Sequence, residues 1–205
     1  MTNNSWFPKI LLGAYVVVFA LLAINPFSRE VWVAENIPIV LIVLYLVFLY
    51  WRGIQFSNTG YALMSVLIFM HTVGGHFTFE RVPFDWFNDL FGFERNMYDR
   101  VAHFSVGFYA YPVAEYIRTK KLAATNWLVY LTPLFFIISV AAIYEVIEWW
   151  FAATYGGDAG AAFLGSQGDI WDAQKDMLMD TLGGVTALML FYIQGCFRKE
   201  HASKK

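Results

Sequence analysis

Six long apolar stretches run through this 205-residue sequence and limit the folds that it can adopt. An apolar stretch of about 20 residues crosses a bilayer as an α-helix, because in lipid the backbone polar groups must be hydrogen-bonded within the protein. The stretches predict an all-α integral membrane protein, a bundle of about six transmembrane helices. The approximate spans are residues 8–26, 37–52, 60–79, 99–117, 127–153 and 173–197.

The composition agrees with a membrane protein. Hydrophobic residues make up 59% of the chain and charged residues 15%, whereas soluble domains average about 45–50% and about 25%. Since we find no internal repeat and no linker-like segment, we expect residues 1–205 to form a single multi-pass domain. The basic residues are scattered at the ends of the spans and indicate no surface for nucleic acid.

The basic residues are unevenly distributed over the predicted loops. Nine of the 14 would lie on the same side of the membrane as both termini: Lys9, Arg52, Arg118, Lys120, Lys121, Arg198, Lys199, Lys204 and Lys205. Loops rich in Lys and Arg stay in the cytoplasm, so the distribution predicts two cytoplasmic termini. The outer side then holds most of the acidic residues.

Four aspartates lie where the sixth span begins: Asp169, Asp172, Asp176 and Asp180. Their spacing of i, i+3, i+7 and i+11 places them along one face of a helix. Asp176 and Asp180 fall inside the apolar stretch, where an ionisable side chain is costly and needs a partner. The stripe therefore predicts a polar site in the outer half of the bundle.

Three other spans carry polar residues that the predicted topology brings to the same depth. These are His71 and His76 in the third span, Asp99 and His103 in the fourth, and Glu145 and Glu148 in the fifth. Polar residues scattered at random would not all fall in one layer. The coincidence favours a shared His/Asp/Glu cluster.

This combination of residues predicts a divalent metal site. Carboxylates suit hard cations, and histidine nitrogen shifts the preference towards zinc, manganese or iron. The predicted ligands are His71, His76, Asp99, His103, Glu148 and Asp176, for Zn, Mn, Mg or Ca. The predicted catalytic carboxylates are Glu145 and Asp172. The predicted supporting residues are Tyr98, Arg100, Gln167, Asp169, Lys175 and Asp180.

Simpler interpretations remain for several of these residues. Asp169 and Asp172 can act as an N-cap and a first-turn acid of the last helix. Glu148 can pair with a lysine or arginine as a structural ion pair, and so can Asp99. His71 and His76 are five residues apart and share a helix face only if the helix breaks between them.

Three functions from different classes fit the pattern. The slightly favoured one is a metal-dependent hydrolase or transferase acting on a lipid or lipid-linked envelope substrate at the outer leaflet. The second is a proton or cation transporter, although the inner halves of the spans offer only Glu115 as a relay. The third is a structural core of metal or ion pairs, with another envelope protein as partner.

Four segments also carry a family resemblance: HTVGGHFTFERVPF (71–84), ERNMYDRVAHFSVGF (94–108), YEVIEWW (144–150) and AFLGSQGDIWDAQKDM (162–177). Together they resemble the YjdF-like family of bacterial inner-membrane proteins, over nearly all of the chain from His71 onward. The resemblance implies a multi-pass protein of the bacterial cytoplasmic (inner) membrane and leaves its activity open. The order of an acid-x-x-x-His helix, a Glu-rich helix and a D-x-x-x-D-x-x-G-G helix is also similar, more faintly, to the VanZ-like proteins.

Overall fold

The computed structural model describes residues 6–155, 157, 160, 164 and 166–203, with the side chains of all but Tyr155 and residues 197–203. The described residues contain no strand, which agrees with the predicted all-α class. The α-helices bounded within them are α1 (Phe7–Leu22), α2 (Arg29–Trp51), α3 (Asn58–Phe77), α4 (Asp85–Phe91), α5 (Tyr98–Val106), α6 (Ala110–Thr119), α7 (Leu128–Tyr155) and α8 (Asp172–Ser203). Two short 3-10 turns, Phe79–Arg81 and Gly107–Tyr109, precede α4 and α6.

Three helices of the described chain are long and apolar enough to cross a membrane: Arg29–Trp51, Leu128–Thr154 and Asp172–Cys196. The apolar helix α1 is shorter, with 16 residues, and α3 has 20. The helices α5 and α6 follow each other through the turn Gly107–Tyr109. These six helical segments correspond to the six predicted spans.

Large apolar side chains point outward along the long helices. Leu41 of α2 is 61% exposed, and Phe135 and Ile143 of α7 are each 60% exposed. An apolar surface of this extent would cause aggregation in water, but lipid chains cover it in a membrane. The exposed faces therefore support the membrane-embedded class that the composition predicts.

The second helix begins earlier than the predicted span, at Arg29 rather than at residue 37. The hydroxyl of Ser28 accepts a hydrogen bond from the Val31 N–H at 3.3 Å and caps the helix. The helix therefore includes Glu35 and Asn36, which are both buried. Both residues lie outside the span of residues 37–52 that the sequence predicts.

Most of the packing centres on two helices. The last helix, α8, packs against α5, α6 and α7, while α3 packs against α1, α2 and α5. The core towards the C-terminal end of α8 is apolar and includes Tyr111, Ile137, Ala187 and Phe191. The bundle is thus polar where α8 begins and apolar further along it.

The helices α5 and α8 touch backbone to backbone at glycines. A methyl group at Gly183 would overlap the carbonyl oxygen of Phe104, and one at Gly107 would overlap the backbone of Asp180 and Gly184. Small residues at such contacts let membrane helices approach closely. This approach sets the acidic start of α8 directly against α5.

Candidate metal centre

Three buried side chains, Asp99, His103 and Asp176, converge between α5 and α8. One donor atom of each lies within 4.8 Å of the other two. His103 Nε2 is 3.7 Å from Asp99 Oδ1 and 3.9 Å from Asp176 Oδ1, which is too long for hydrogen bonds. Donor atoms that bind one ion at about 2.1 Å lie roughly 3 to 4 Å apart, so these spacings suit a shared cation.

The other ring nitrogen of His103 faces Asp180, one helical turn beyond Asp176 on α8. His103 Nδ1 is 3.3 Å from Asp180 Oδ1, and Asp180 is 1% exposed. A carboxylate at this nitrogen favours the tautomer with the proton on Nδ1 and leaves Nε2 free to bind a metal. The predicted supporting residue Asp180 therefore orients the ring of His103.

Arg100, also on α5, forms ion pairs with two aspartates of the stripe, Asp172 and Asp176. Its guanidinium contacts Asp172 Oδ1 at 2.5 Å through Nη2 and pairs with Asp176 through Nη1. Arg95 Nη1 reaches the same Asp172 oxygen at 2.8 Å. Two arginines thus hold Asp172 in ion pairs beside the centre, and the catalytic role of this carboxylate stays a prediction.

Asp169 lies in the turn before α8, at the edge of the polar layer, and we call this edge the rim. Its Oδ2 accepts a hydrogen bond from Lys175 Nζ at 2.6 Å, and its Oδ1 accepts one from the Trp171 N–H at 3.0 Å. The hydrogen bond from Lys175 and then the one from Trp171 lower the pKa of Asp169 below its usual value. Asp169 and Lys175 thus form part of the structural rim, as the capping interpretation predicts.

The loop before α5 and the loop before α8 are tied together by Gln167. Its side-chain amide accepts a hydrogen bond from the Asn96 N–H at 2.9 Å and donates one to the Asn96 carbonyl at 3.0 Å. Next to this pairing, the Tyr98 hydroxyl donates to the Met70 carbonyl of α3 at 2.9 Å. Gln167 and Tyr98 therefore hold the start of α5 between α3 and α8.

A second buried histidine, His71, lies near Tyr144, as His103 does. His71 Nε2 is 2.9 Å from Glu35 Oε2, and the Tyr144 hydroxyl donates to the same oxygen at 3.3 Å. The ring centroid of Tyr144 is 6.2 Å from that of His71 and 6.4 Å from that of His103. His71 is thus beside the centre, but Glu35, a residue that the sequence analysis missed, occupies its Nε2.

His76 lies away from the other predicted ligands. Its Nδ1 is 2.7 Å from the carbonyl oxygen of Leu22 at the end of α1. The helix α3 runs unbroken through Gly74 and Gly75, so His71 and His76 point in different directions. The structure therefore does not bring His76 into the candidate centre.

Glu145 and Glu148 reach the centre from α7. Glu148 is buried and interacts electrostatically with His103, Glu145, Asp99 and Glu35. Glu145 interacts with His103 and Asp176, and its Oε1 is buried without a hydrogen-bond partner among the described residues. Both glutamates thus adjoin the centre, while the group whose donor atoms share the 4.8 Å spacing consists of Asp99, His103 and Asp176. The predicted roles of Glu148 as a ligand and Glu145 as a catalytic carboxylate stay predictions.

The layer holds more acids than bases. Below the rim the described residues include six carboxylates: Glu35, Asp99, Glu145, Glu148, Asp176 and Asp180. Opposite them stand Arg100 and two histidines, His71 and His103, so three carboxylates lack a positive partner even if both rings are protonated. Buried charge of this kind must be neutralised by protons or by a bound cation.

Helical spans with lipid-facing apolar surfaces and a polar layer between them define a multi-pass membrane protein. The family model "Predicted membrane protein (DUF2238)" matches residues 7–196, so the chain belongs to this family. The chain is also 33% identical over 178 residues to the inner membrane protein YjdF of Escherichia coli (strain K12). The alignment covers 81% of this chain and 79% of the relative.

These matches confirm the resemblance to the YjdF-like family and support an inner-membrane location. The fainter likeness to VanZ-like proteins remains a sequence resemblance. No solved structure matches the chain.

Proposed function

We propose that this protein binds a divalent cation between Asp99, His103 and Asp176 and uses it in a hydrolase- or transferase-like reaction. The observation that carries the proposal is the spacing of the three buried donors, which are too far from one another for hydrogen bonds and close enough to share an ion. Asp176 Oδ1 also pairs with Arg100, so a bound ion would share this oxygen with the guanidinium. The surrounding excess of carboxylates supplies the negative potential that attracts a cation.

The donor set narrows the choice of metal. Two carboxylate oxygens and one imidazole nitrogen suit zinc or manganese better than magnesium or calcium, which prefer oxygen ligands. The hydrogen bond that His103 Nδ1–H donates to Asp180 is the arrangement found behind metal-bound histidines. We therefore expect Zn²⁺ or Mn²⁺ to bind more tightly than Mg²⁺ or Ca²⁺.

Three protein donors leave positions open for water and substrate, which is typical of catalytic rather than structural metal sites. A bound metal would polarise a phosphoryl or carbonyl oxygen and acidify water. Glu145 has an unpartnered buried oxygen beside the centre and is our candidate for the general base. Arg100 would hold Asp176 in place.

The proposed orientation places both termini in the cytoplasm and the centre in the outer half of the membrane, as the basic residues predict. Cys196, the only cysteine in the chain, is exposed and permits a direct test. In intact cells a membrane-impermeant maleimide should not label Cys196, but it should label Ile170→Cys in a Cys196→Ser background. The opposite labelling pattern would overturn the orientation.

The proposed substrate class is a lipid or lipid-linked envelope molecule. Large apolar side chains surround the rim: Trp150 is 68% exposed, Ile170 is 84% exposed and Trp171 is 59% exposed. Tryptophans at this level are typical of the membrane interface. A headgroup held there would lie next to the ion pairs of Arg95 with Asp172 and of Lys175 with Asp169.

Transport is the weaker alternative because, in the part of the chain that the structure describes, the packing beyond the centre is mainly apolar. Beyond Asp180 on α8 the packing consists of the glycine contact with α5 and buried apolar residues such as Ala187 and Phe191. We expect proteoliposomes to show no metal-dependent proton or cation flux. A flux that Asp176→Asn abolishes would replace the enzyme proposal with transport.

The structural alternative is favoured by one observation, the Arg100 ion pairs that already link α5 to α8. Elemental analysis of the detergent-purified protein, followed by titration of the chelator-treated protein with Zn²⁺ and Mn²⁺, tests the metal-site proposal against the structural alternative. About one metal per chain supports the proposal. No bound metal and no saturable binding would leave the ion-pair core.

A further inference from the structure

A groove runs along the bundle between α1, α2 and α3, and none of its lining residues belongs to the polar layer. It encloses about 210 Å³. Each helix contributes one stripe at the spacing of a single face, for example Tyr61, Met64, Ser65 and Ile68 of α3. The lining is mostly aliphatic and aromatic, so its natural occupant is apolar.

The groove lies between two helices, α1 and α2, that both pack on α3. Phe19 of α1 and Trp32 of α2 are in contact, with ring centroids 5.4 Å apart, but neither residue lines the groove. An unfilled apolar gap loses dispersion contacts on both walls, so in a bilayer the surrounding lipid is expected to fill it.

Its length matches one leaflet. The α3 stripe runs from Tyr61 to Phe69, which at 1.5 Å per residue is about 12 Å, close to half of a hydrocarbon core of about 30 Å. At one end the lining includes Lys9 and Trp51, the residue types that mark a membrane interface. At the other end, Ile68 and Phe69 lie near the middle of the bilayer.

We propose that this groove binds one acyl chain of an anionic phospholipid from the leaflet nearest the N-terminus. The apolar stripes hold the chain, and the ammonium group of Lys9 attracts the phosphate of the headgroup. The site is separate from the candidate metal centre and does not depend on its function.

The test counts retained lipids on the full-length protein. The protein is reconstituted with phosphatidylglycerol and phosphatidylethanolamine in equal amounts, extracted in mild detergent and analysed by native mass spectrometry. Ser65→Trp places an indole in the groove and should remove one retained lipid per chain. Ser139→Trp is the matched control, because Ser139 also bonds a carbonyl of its own helix but is exposed on α7.

A second filling variant, Leu12→Phe, approaches from the α1 wall and should also lower retention if Ser65→Trp folds poorly. Lys9→Gln should keep the chain but reduce the preference for phosphatidylglycerol by about fivefold, since one lysine near an anionic surface contributes about 1 kcal/mol. Lys120→Gln should leave that preference unchanged. Equal retention in wild type, Ser65→Trp and Leu12→Phe would overturn the proposal, as would equal loss in Ser139→Trp.

Discussion

Two buried histidines, His71 and His103, lie near Tyr144, and their surroundings differ. His71 Nε2 is 2.9 Å from Glu35, a direct ion-pair or hydrogen-bond distance. His103 Nε2 is 3.7 Å and 3.9 Å from its two nearest carboxylates on that side, and only its Nδ1 has a close partner. One histidine is paired with its acid, whereas the other faces two acids across a gap.

The difference separates a structural pair from a candidate binding site. A histidine paired directly with one carboxylate holds two helices together and has little to offer a ligand. A histidine that faces two carboxylates at 3.7 Å and 3.9 Å provides three donors around one point. Both histidines are buried among carboxylates, so the distances make the distinction.

The largest expected effect is on metal binding. His103→Ala removes the only nitrogen donor of the centre and should reduce bound Zn²⁺ or Mn²⁺ to background. His71→Ala should retain the metal, because its ring already binds Glu35. Elemental analysis of the monodisperse fraction of each variant measures this. Equal loss of metal in both variants would show that the two histidines form one site.

The second effect is on stability. Here His71→Ala, which should retain the metal, is expected to be the damaging variant. His71→Ala leaves the buried Glu35 without its basic partner, and breaking such a pair costs about 3 to 5 kcal/mol. Unfolding in mixed detergent gives the free energy of unfolding of each variant. The double variant Glu35→Gln/His71→Ala should recover much of the loss. If His71→Ala is as stable as wild type, the pair is not structural.

The glycine contact offers a way to open the His103 centre without touching the His71 pair. Gly183→Ala forces α8 away from the backbone of α5 and should destabilise the protein by about 1 to 3 kcal/mol while weakening metal binding. A methyl group at Gly184 meets Leu134 at 3.4 Å, the Gly107 carbonyl oxygen at 3.8 Å and Ile137 at 3.8 Å. These are ordinary van der Waals distances, so Gly184→Ala is the control. Similar metal affinity and stability in both variants would contradict the close approach as the cause of the site.

Asp180→Asn tests the orientation of the His103 ring. An amide can still accept a hydrogen bond at Nδ1, but it lacks the charge that makes the imidazole a stronger ligand. We expect about a tenfold loss in metal affinity, at the lower end of what such partners contribute. Isothermal titration with Zn²⁺ measures the change. A loss as large as that of His103→Ala would instead make Asp180 a direct ligand.

The smallest effect is expected at the rim. Asp169→Asn should leave metal content near that of wild type, because asparagine also caps a turn. The partners of Asp169 lower its pKa, so the charged form is stabilised by folding. Its contribution to stability is therefore present at neutral pH and is lost as the pH falls through that lowered pKa. Thermal unfolding curves of wild type and variant should differ most at neutral pH and converge in acid.

The sequence predicts the spans and the helical pairs of the centre because both depend on local spacing. Asp99 and His103 are four apart, as are Asp176 and Asp180, and each pair shares a helix face in the structure. The roles of the stripe members depend on their partners. Asp172 pairs with Arg95 and Arg100, which come from a distant part of the chain, and no spacing rule indicates that choice.

Glu35 was missed for a different reason. The apolar stretch of α2 begins two residues later, so hydropathy alone places Glu35 in a loop. The signal that could have found it is Ser28 followed by Glu30, an N-cap with a first-turn acid, which would start the helix at Arg29. Distances such as those around His103 follow from how closely α5 and α8 approach, and they require the structure.

The glycine contact between α5 and α8 also has an electrical consequence. In the proposed orientation, the apolar packing beyond Gly107 and Gly183 separates the centre from the cytoplasm, so most of the membrane voltage falls across that packing. A full crossing is worth about 2.3 kcal/mol per charge per 100 mV. A cation that enters from outside crosses only a small part of this field. Occupancy of the centre would therefore follow the ion concentration outside the cell and respond little to the energy state of the membrane.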